Sequence, residues 1–218
     1  RGSIWQAYER AAEAGRGLAR LIRMIRKIAP DRPIHILAHS LGARVALCAL
    51  PHLPDQSLDR AVLLAGAEFT TTAEALMDTP AGRTTEIISI TSRENRPYER
   101  LLERMLGTAD RGRAIGLAPP ERTNWINLPL DAPHVLADLA EIGHVIAPPQ
   151  RWFCHWSSYL RPGVFSLYSA LVADTRPVPI AALRRITQRP EPIMTTRPLV
   201  KFWPWAVLPS FGQGRAAG

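Results

Sequence analysis

The chain has 218 residues, 46% of them hydrophobic, and a formal net charge of +8 at pH 7. This length suits one domain, and the hydrophobic fraction is too high for a generally disordered chain. Because no apolar run reaches the roughly 20 residues that cross a bilayer, we expect no membrane-spanning helix, and we expect no cleavable signal peptide.

The positive charge does not by itself indicate a nucleic-acid-binding protein. Several cations share one predicted helix, and most of the others are scattered through loops and the C-terminal tail. Neither a stacking-aromatic motif nor a zinc finger accompanies them, so we interpret the helical group as a solvated face and expect no nucleic-acid partner. The group consists of Arg16, Arg20, Arg23, Arg26 and Lys27.

The two cysteines, Cys48 and Cys154, argue against a disulfide framework. Their spacing matches no zinc pattern either. They therefore favour a reduced, cytoplasmic setting, and nothing in the sequence implies a metal or an organic cofactor.

The first third of the sequence alternates helical and strand patterns. Apolar residues recur at three- and four-residue steps from about Ile4 to Ala29 and predict a long helix. The apolar segment PIHILA, residues 33–38, predicts a short strand, and residues 40–53 return to helical spacing until Pro51. A near-continuous apolar segment over residues 60–69 predicts a buried strand of a parallel sheet.

The remaining sequence continues this alternation. Such a pattern predicts an α/β fold, in which a parallel sheet is flanked by helices. The predicted elements are a helix at residues 72–77, a strand at 85–92, a helix at 98–106, a strand at 124–130, and helices at 134–143 and 159–172.

From about Thr175 the composition becomes proline-rich and basic. We therefore predict an α/β domain over residues 1–174, followed by a largely unpacked extension over residues 175–218. An apolar segment inside this extension, residues 199–209, predicts either a patch that folds back on the domain or a weak contact with a membrane surface or a partner.

The motif AHSLG, residues 38–42, places Ser40 between a predicted strand and a predicted helix. It fits the small-x-Ser-x-Gly pattern of the nucleophile elbow, with Ala38 where glycine is more usual, and in this elbow a strained turn lifts the serine hydroxyl above the sheet. Ala38 and Gly42 are small enough to avoid a collision across that turn, and the amide of Leu41 would help to bind an oxyanion. The alternative interpretation makes Ser40 an ordinary helix N-cap.

A serine hydroxyl needs a base to take its proton, and in proteins with this elbow the base follows the acid along the chain. His155 stands in the segment RWFCHWSSYL, after the last predicted strand and before the last predicted helix, and is the preferred candidate. His144 and His134 are alternatives. We interpret His39, beside the serine, as a packing residue of the elbow.

The acid is expected after the strand predicted at residues 85–92. Glu94 lies closest to the end of that strand and is the candidate. Glu99 comes next, although its helical context equally suits a solvated face. Asn95 cannot supply charge but could orient an imidazole, and Glu68, which follows the preceding strand, is held in reserve.

With these motifs the chain resembles the bacterial serine esterases and lipase-like proteins of the α/β-hydrolase fold. The segments that carry the resemblance are HILAHSLGARVAL, AVLLAGAEF, ITSREN and CHWSSYLRPGVFSLYSAL, scattered between residues 5 and 172. The resemblance implies the fold and a serine hydrolase, and it hardly constrains the substrate. In similar sequences an aspartate follows SREN, where this chain has Arg96.

The α/β-hydrolase fold normally has several strands before the elbow strand, whereas a single predicted helix precedes it here. The earlier strands carry the loop that supplies the second oxyanion amide. We therefore expect a fragment or a truncated form that lacks the N-terminal strands and is weakly active on its own.

The leading functional hypothesis is hydrolysis of a carboxylic ester. Ser40 would be the nucleophile, His155 the base and Glu94 the acid that orients it, with a small-molecule ester or acyl compound as the substrate. The rival hypothesis is a non-catalytic scaffold of the same fold that binds a protein partner or a membrane surface. Arg96 and the missing N-terminal strands favour this rival.

Overall fold

A parallel sheet forms the centre of the fold, and its strands are ordered as they occur along the chain. The computed structural model describes residues 3–173 and 177–189. The strands are β1 (His35–His39), β2 (Arg60–Leu64), β3 (Glu86–Thr91) and β4 (Trp125–Pro129). The helices are α1 (Ile4–Ile28), α2 (Leu41–Ala49), α3 (Thr70–Met77), α4 (Pro80–Thr84), α5 (Arg96–Leu106), α6 (Pro133–Glu141), α7 (Ser157–Leu160), α8 (Val164–Leu171) and α9 (Ile180–Gln188).

The alternation of side chains along the strands divides the core into two layers. Leu63 and Ile87 face the layer built with α1 and α2, whereas Val62, Ile88 and Ile126 face the layer built with α6, α8 and α9. Both faces of the sheet are thus covered, which explains why β2 is apolar at nearly every position. The predicted α/β fold, with a parallel sheet and flanking helices, is confirmed.

Strand β2 is shorter than the apolar segment 60–69 predicted. It ends at Leu64 because Ala65 has a φ of 47°, a left-handed conformation that cannot continue a strand. The backbone N–H of Ala65 donates to the carbonyl of Ile90 at 3.1 Å, so this bend is fixed to β3. Residues 65–69 therefore form a connection that leads away from the sheet, and they carry Glu68 beneath α2.

The single helix predicted at residues 159–172 is two helices, α7 and α8. Gly163 separates them with a φ of 91°, and Pro162 lacks the N–H that a continuous helix needs. A side chain at position 163 would also collide with the carbonyl of Val145, because a Cβ there would lie 2.0 Å from that oxygen. The break directs α8 onto the sheet, while α7 lies near the end of β1, where the ring of Tyr159 packs on that of His39 with the centroids 5.1 Å apart.

Residues 177–189 lie in the segment predicted as an unpacked extension, and there the structure differs. Helix α9 buries Leu183 and Ile186 against the second layer of the core. Fully buried Arg60 donates to the carbonyls of Leu171 and Val178, at 2.7 and 3.2 Å, and so ties β2 to the chain on both sides of residues 174–176. The rest of the predicted extension, including the apolar segment 199–209, lies outside the described residues.

Within residues 3–173 and 177–189, no helix combines the length and the apolar character needed to cross a membrane.

Candidate active site

Ser40 occupies the corner between β1 and α2 in a backbone conformation that residues with side chains rarely adopt. Its φ is 55° and its ψ is −123°. The strain is held by backbone hydrogen bonds: Ser40 N–H donates to the carbonyl of Leu64, and its own carbonyl accepts from Ala43 and Ala67, each at 3.0 Å. Helix and neighbouring strand thus fix the corner from both sides.

The side chain of Ser40 does not cap the helix that it precedes, since it makes no hydrogen bond to the first turn of α2. The N-cap interpretation of the serine therefore lacks its defining contact. The small residues on either side fit the tight corner, because a Cβ added to Gly42 would lie 3.6 Å from the Cβ of Ala38. A larger side chain at either position would crowd the other across the turn.

Leu41 is the first residue of α2. The first backbone N–H groups of a helix have no partner within the helix, and they carry its partial positive charge. The Leu41 amide, which follows Ser40 directly in the chain, is therefore the candidate donor for an oxyanion. Its side chain packs against the small cluster formed by Tyr8, Phe69 and Leu106, which anchors this end of α2.

His155 lies in the connection between α6 and α7, next to the residue that precedes Ser40. Its ring centroid is 4.6 Å from that of His39, and the Nε2 atom of His39 lies 3.0 Å from the carbonyl oxygen of His155. Tyr98 packs on the imidazole of His155 at 4.9 Å. His39 is therefore more than a packing residue, because it holds the backbone of the loop that brings His155 to the carboxyl edge of the sheet.

The imidazole of His155 is oriented by a hydrogen bond between its Nδ1 atom and Oδ1 of Asn95, at 2.8 Å. Because an amide oxygen only accepts, Nδ1 carries the proton, and Nε2 is left unprotonated and able to accept one. Burial and the neighbouring His39 both lower the pKa of His155. The ring is therefore neutral over a wider pH range than an ordinary histidine, which is the state that a base needs.

Asn95 is held in turn by Glu99 on the first turns of α5. The Nδ2 atom of Asn95 donates to Oε1 of Glu99 at 2.9 Å, which fixes the amide with its oxygen toward His155. Glu99 is 3% exposed, and burial raises its pKa. Of the two interpretations of Glu99, the solvated face is therefore wrong: the side chain is the inner end of a chain of hydrogen bonds that runs from Glu99 through Asn95 to His155.

The sequence-based assignment of Glu94 as the orienting acid differs from the geometry, since Asn95 occupies Nδ1 of His155. Buried Glu94 instead accepts two backbone hydrogen bonds from the loop before His155: from Arg151 N–H at its Oε1 atom and from Cys154 N–H at its carbonyl, both at 2.8 Å. Glu94 follows the end of β3 by three residues, in the 3₁₀ turn that also contains Asn95. Glu94 therefore holds the backbone of the loop that precedes His155.

Glu68, the reserve acid, belongs to a different buried group. It accepts from the Tyr8 hydroxyl, from Arg44 at 2.6 Å and from the backbone N–H of Phe69 at 2.8 Å. Arg44 also lies over the ring of Tyr8, with its guanidinium carbon 3.5 Å from the centroid. Burial raises the pKa of Tyr8, so the hydroxyl stays protonated and donates. This group joins α1, α2 and the connection after β2.

Replacing Glu68 with glutamine is expected to lower the free energy of unfolding by about 3 kcal/mol, because it leaves Arg44 buried without a counter-charge. Urea unfolding at neutral pH measures the loss. Glu13→Gln on the exposed face of α1 is the matched control and should stay within about 0.5 kcal/mol of the parent. Equal stability of the two variants would contradict a structural role for Glu68.

The other candidate residues lie away from this arrangement. His144 contacts Ser166 of α8 through Nδ1 at 3.1 Å, and His134 is in the first turn of α6. Arg96 is exposed as the first residue of α5, one position beyond the residue that meets His155. The position of the orienting group is thus taken by Asn95, and the arginine does not replace it.

Reasoning from the sequence left two contacts of the candidate site unassigned. The link between Asn95 and Glu99 has a readable signal, because residues four apart share one face of a helix. The contact of His39 with His155 has none, since it joins residues 116 positions apart.

Comparison with known proteins adds one finding. Residues 6–95 match the family model of the T6SS Tle3 phospholipase effector domain. The match includes the Ser40 corner and Asn95, ends before His155, and spans less than half of the chain. It suggests a lipase-like hydrolase in general terms. No curated protein matches the chain, and no solved structure does.

Proposed function

We propose that this chain is a lipase-like serine hydrolase that cleaves a carboxylic ester of a glycerophospholipid. Ser40 is the nucleophile, His155 is the general base, and Asn95 with Glu99 behind it orients the base. The observation that carries the proposal is the conformation of Ser40, with φ 55° and ψ −123° at a strand-to-helix corner and no capping hydrogen bond. Strain of this kind costs about 1–3 kcal/mol and persists mainly where function requires it.

The proposed chemistry assigns one task to each of these groups. The Oγ atom of Ser40 attacks the ester carbonyl carbon while its proton passes to Nε2 of His155. The negative charge that develops on the carbonyl oxygen is stabilised by the Leu41 amide at the start of α2. The imidazolium then gives its proton to the departing alcohol oxygen. Water then gives a proton to the same ring and attacks the acyl-serine, and the ring returns that proton to Oγ of Ser40 as the fatty acid leaves.

Two observations support a phospholipid ester rather than another acyl substrate. The family model that matches residues 6–95 describes a phospholipase effector domain. The loop that bears His155 also exposes large apolar side chains, which suit long acyl chains. Both observations agree with the resemblance of the sequence motifs to those of serine esterases and lipases.

A fluorophosphonate tests the proposal directly, because it forms a covalent adduct only with an activated serine. We expect labelling of the native chain and, by peptide mass mapping, an adduct on Ser40; heat-denatured protein is the control. Release of fatty acid from phospholipid dispersed in detergent tests the substrate class. A native chain that takes up no label is the outcome for the rival hypothesis, a non-catalytic scaffold, which the neutral side chain of Asn95 beside His155 favours.

The pH dependence of hydrolysis reports on the orienting chain. Because the pKa of His155 is lowered, the acid limb of the kcat/KM profile should lie below pH 6.5, the ordinary value for histidine. The double variant Asn95→Asp with Glu99→Gln exchanges the amide and the carboxylate and keeps the hydrogen bond between them. A carboxylate in contact with the imidazole favours its protonated form, so the limb should move up by about one pH unit or more.

Glu99→Gln alone is the control for this exchange, because it removes the charge and keeps the acceptor of Asn95. It should not move the limb upward. Profiles of the native chain and the double variant that superimpose would show that Asn95 does not act on the base of the reaction.

A further inference from the structure

Four exposed apolar side chains lie close to His155 along the chain. They are Trp152, Phe153, Trp156 and Leu160, which are 96%, 64%, 49% and 59% exposed, and we name them the aromatic rim. Trp152 and Phe153 precede the histidine with Cys154 between them, and the other two lie on α7 or at its start. The backbone N–H of Leu160 donates to the carbonyl of Trp156 at 3.0 Å, so these two share one face.

The exposure of the rim does not follow from a loose loop. The backbone on both sides of Trp152 and Phe153 is fixed by Glu94, through Arg151 N–H and Cys154 N–H at 2.8 Å each. Cys154 itself is buried at 4% exposure, so the chain turns inward immediately after the two aromatic residues. A loop held in this way exposes indole and phenyl rings to water, which is unfavourable in free energy. Burial of the rings against a binding partner would remove that unfavourable term.

Positive charge lies beside the rim. Arg93 and Arg151 line an open groove of about 360 Å³ together with Trp152. Both arginines are exposed, and the salt bridges found among the described residues do not include either of them. Aromatic residues with adjacent arginines are the pattern of proteins that lie in the interface of an anionic bilayer, where rings enter the headgroup region and guanidinium groups meet phosphates.

We propose that the aromatic rim and its two arginines are the surface on which this protein docks to a bilayer that contains anionic phospholipid. This proposal rests on the proposed function for its choice of a lipid surface over a protein. Docking through this surface would serve ester hydrolysis. Because His155 lies between Phe153 and Trp156 in the chain, docking brings the edge of the sheet that carries Ser40 to the headgroups. An ester bond could then reach Ser40 without leaving the interface.

Flotation with lipid vesicles tests the docking surface. The full chain carrying Ser40→Ala is mixed with vesicles of phosphatidylcholine alone or of phosphatidylcholine with phosphatidylglycerol, so that hydrolysis plays no part in the result. We expect binding to the anionic vesicles and about tenfold weaker binding when Trp152→Ser and Phe153→Ser are combined. Met24→Ser with Ile28→Ser, which removes two exposed apolar side chains from α1, is the matched control and should bind like its parent.

The arginines are tested in the same assay. Arg93→Gln with Arg151→Gln should weaken binding to anionic vesicles about tenfold and leave the weaker binding to phosphatidylcholine unchanged. Arg16→Gln with Arg20→Gln on α1 removes the same charge elsewhere and should have a smaller effect. The more conservative Trp152→Phe should still float with vesicles but lose much of the shift in tryptophan emission that binding produces.

The proposal is overturned if the parent does not float with anionic vesicles, or if the rim variants bind as well as the α1 controls. Equal binding of the two arginine pairs would overturn the part assigned to Arg93 and Arg151. Because the assay uses the Ser40→Ala chain, vesicle binding without any fluorophosphonate labelling of native protein would leave the docking surface in place and refute the proposed function alone.

Discussion

Replacing Ser40 with alanine is expected to lower kcat for ester hydrolysis by about 10⁶-fold and to abolish fluorophosphonate labelling. The reason is that alanine removes the atom that forms the acyl bond, while the neighbouring amides and the substrate surface stay in place. Turnover of a nitrophenyl ester measures the rate, and urea unfolding confirms that the variant is folded. Ser169→Ala on the exposed face of α8 is the matched control and should keep the parental rate.

A glycine at the same position separates function from stability. Ser40→Gly should be as inactive as the alanine variant, yet its free energy of unfolding should rise by about 1 kcal/mol. Glycine adopts a φ of 55° without the steric cost that a side chain brings. If Ser40→Gly is instead less stable than the parent, the corner is not strained, and the conformation loses its value as a sign of function.

Much of the architecture could be predicted from the sequence because its causes are local. Apolar residues at helical spacing predicted α1 to its last turn, and the apolar segment after Arg60 predicted β2 as a buried parallel strand. The bend at Ala65 and the break at Gly163 were missed. Each depends on a left-handed residue in contact with another part of the chain, the carbonyl of Ile90 or of Val145.

The candidate site divides in the same way. A five-residue pattern predicts Ser40 as the candidate nucleophile, because the steric demands of the corner act on the immediate neighbours of the serine. The sequence does not predict which group orients His155, since Glu94, Asn95 and Glu99 all remain candidates until the direction of the chain after β3 is known. That direction places Asn95 toward His155 and the preceding residue, Glu94, toward the backbone of Arg151.

Helix α9 shows a different limit. Proline-rich, basic composition around residues 175–189 predicted an unpacked segment, but composition does not reveal that Leu183 and Ile186 share one helix face. Composition also does not indicate the role of Arg60, the first residue of β2, which donates to carbonyls more than 100 positions away. Buried arginine in a strand is rare enough that its presence could have indicated a distant partner of this kind.

Replacing His155 with alanine is the second change with a large expected effect, a loss of about 10⁵–10⁶-fold in kcat. Without Nε2 no group takes the Ser40 proton, and the remaining rate comes from the Leu41 amide and substrate binding alone. The loss should not add to that of Ser40→Ala: the double variant should be about as slow as either single one, because the two residues act as one unit. Initial rates on the nitrophenyl ester, with burst-phase measurements for the acyl-serine, give both comparisons.

The matched control is His52→Ala, an exposed histidine beyond α2 whose side chain should not affect the rate. His39→Ala should give an intermediate loss, since it removes the donor to the His155 carbonyl and the ring packed against the imidazole, but not the base itself. A variant that lacks His155 and keeps the parental rate would remove the base from the proposal. His39, which directly precedes Ser40 in the sequence, would then be the next candidate for the general base.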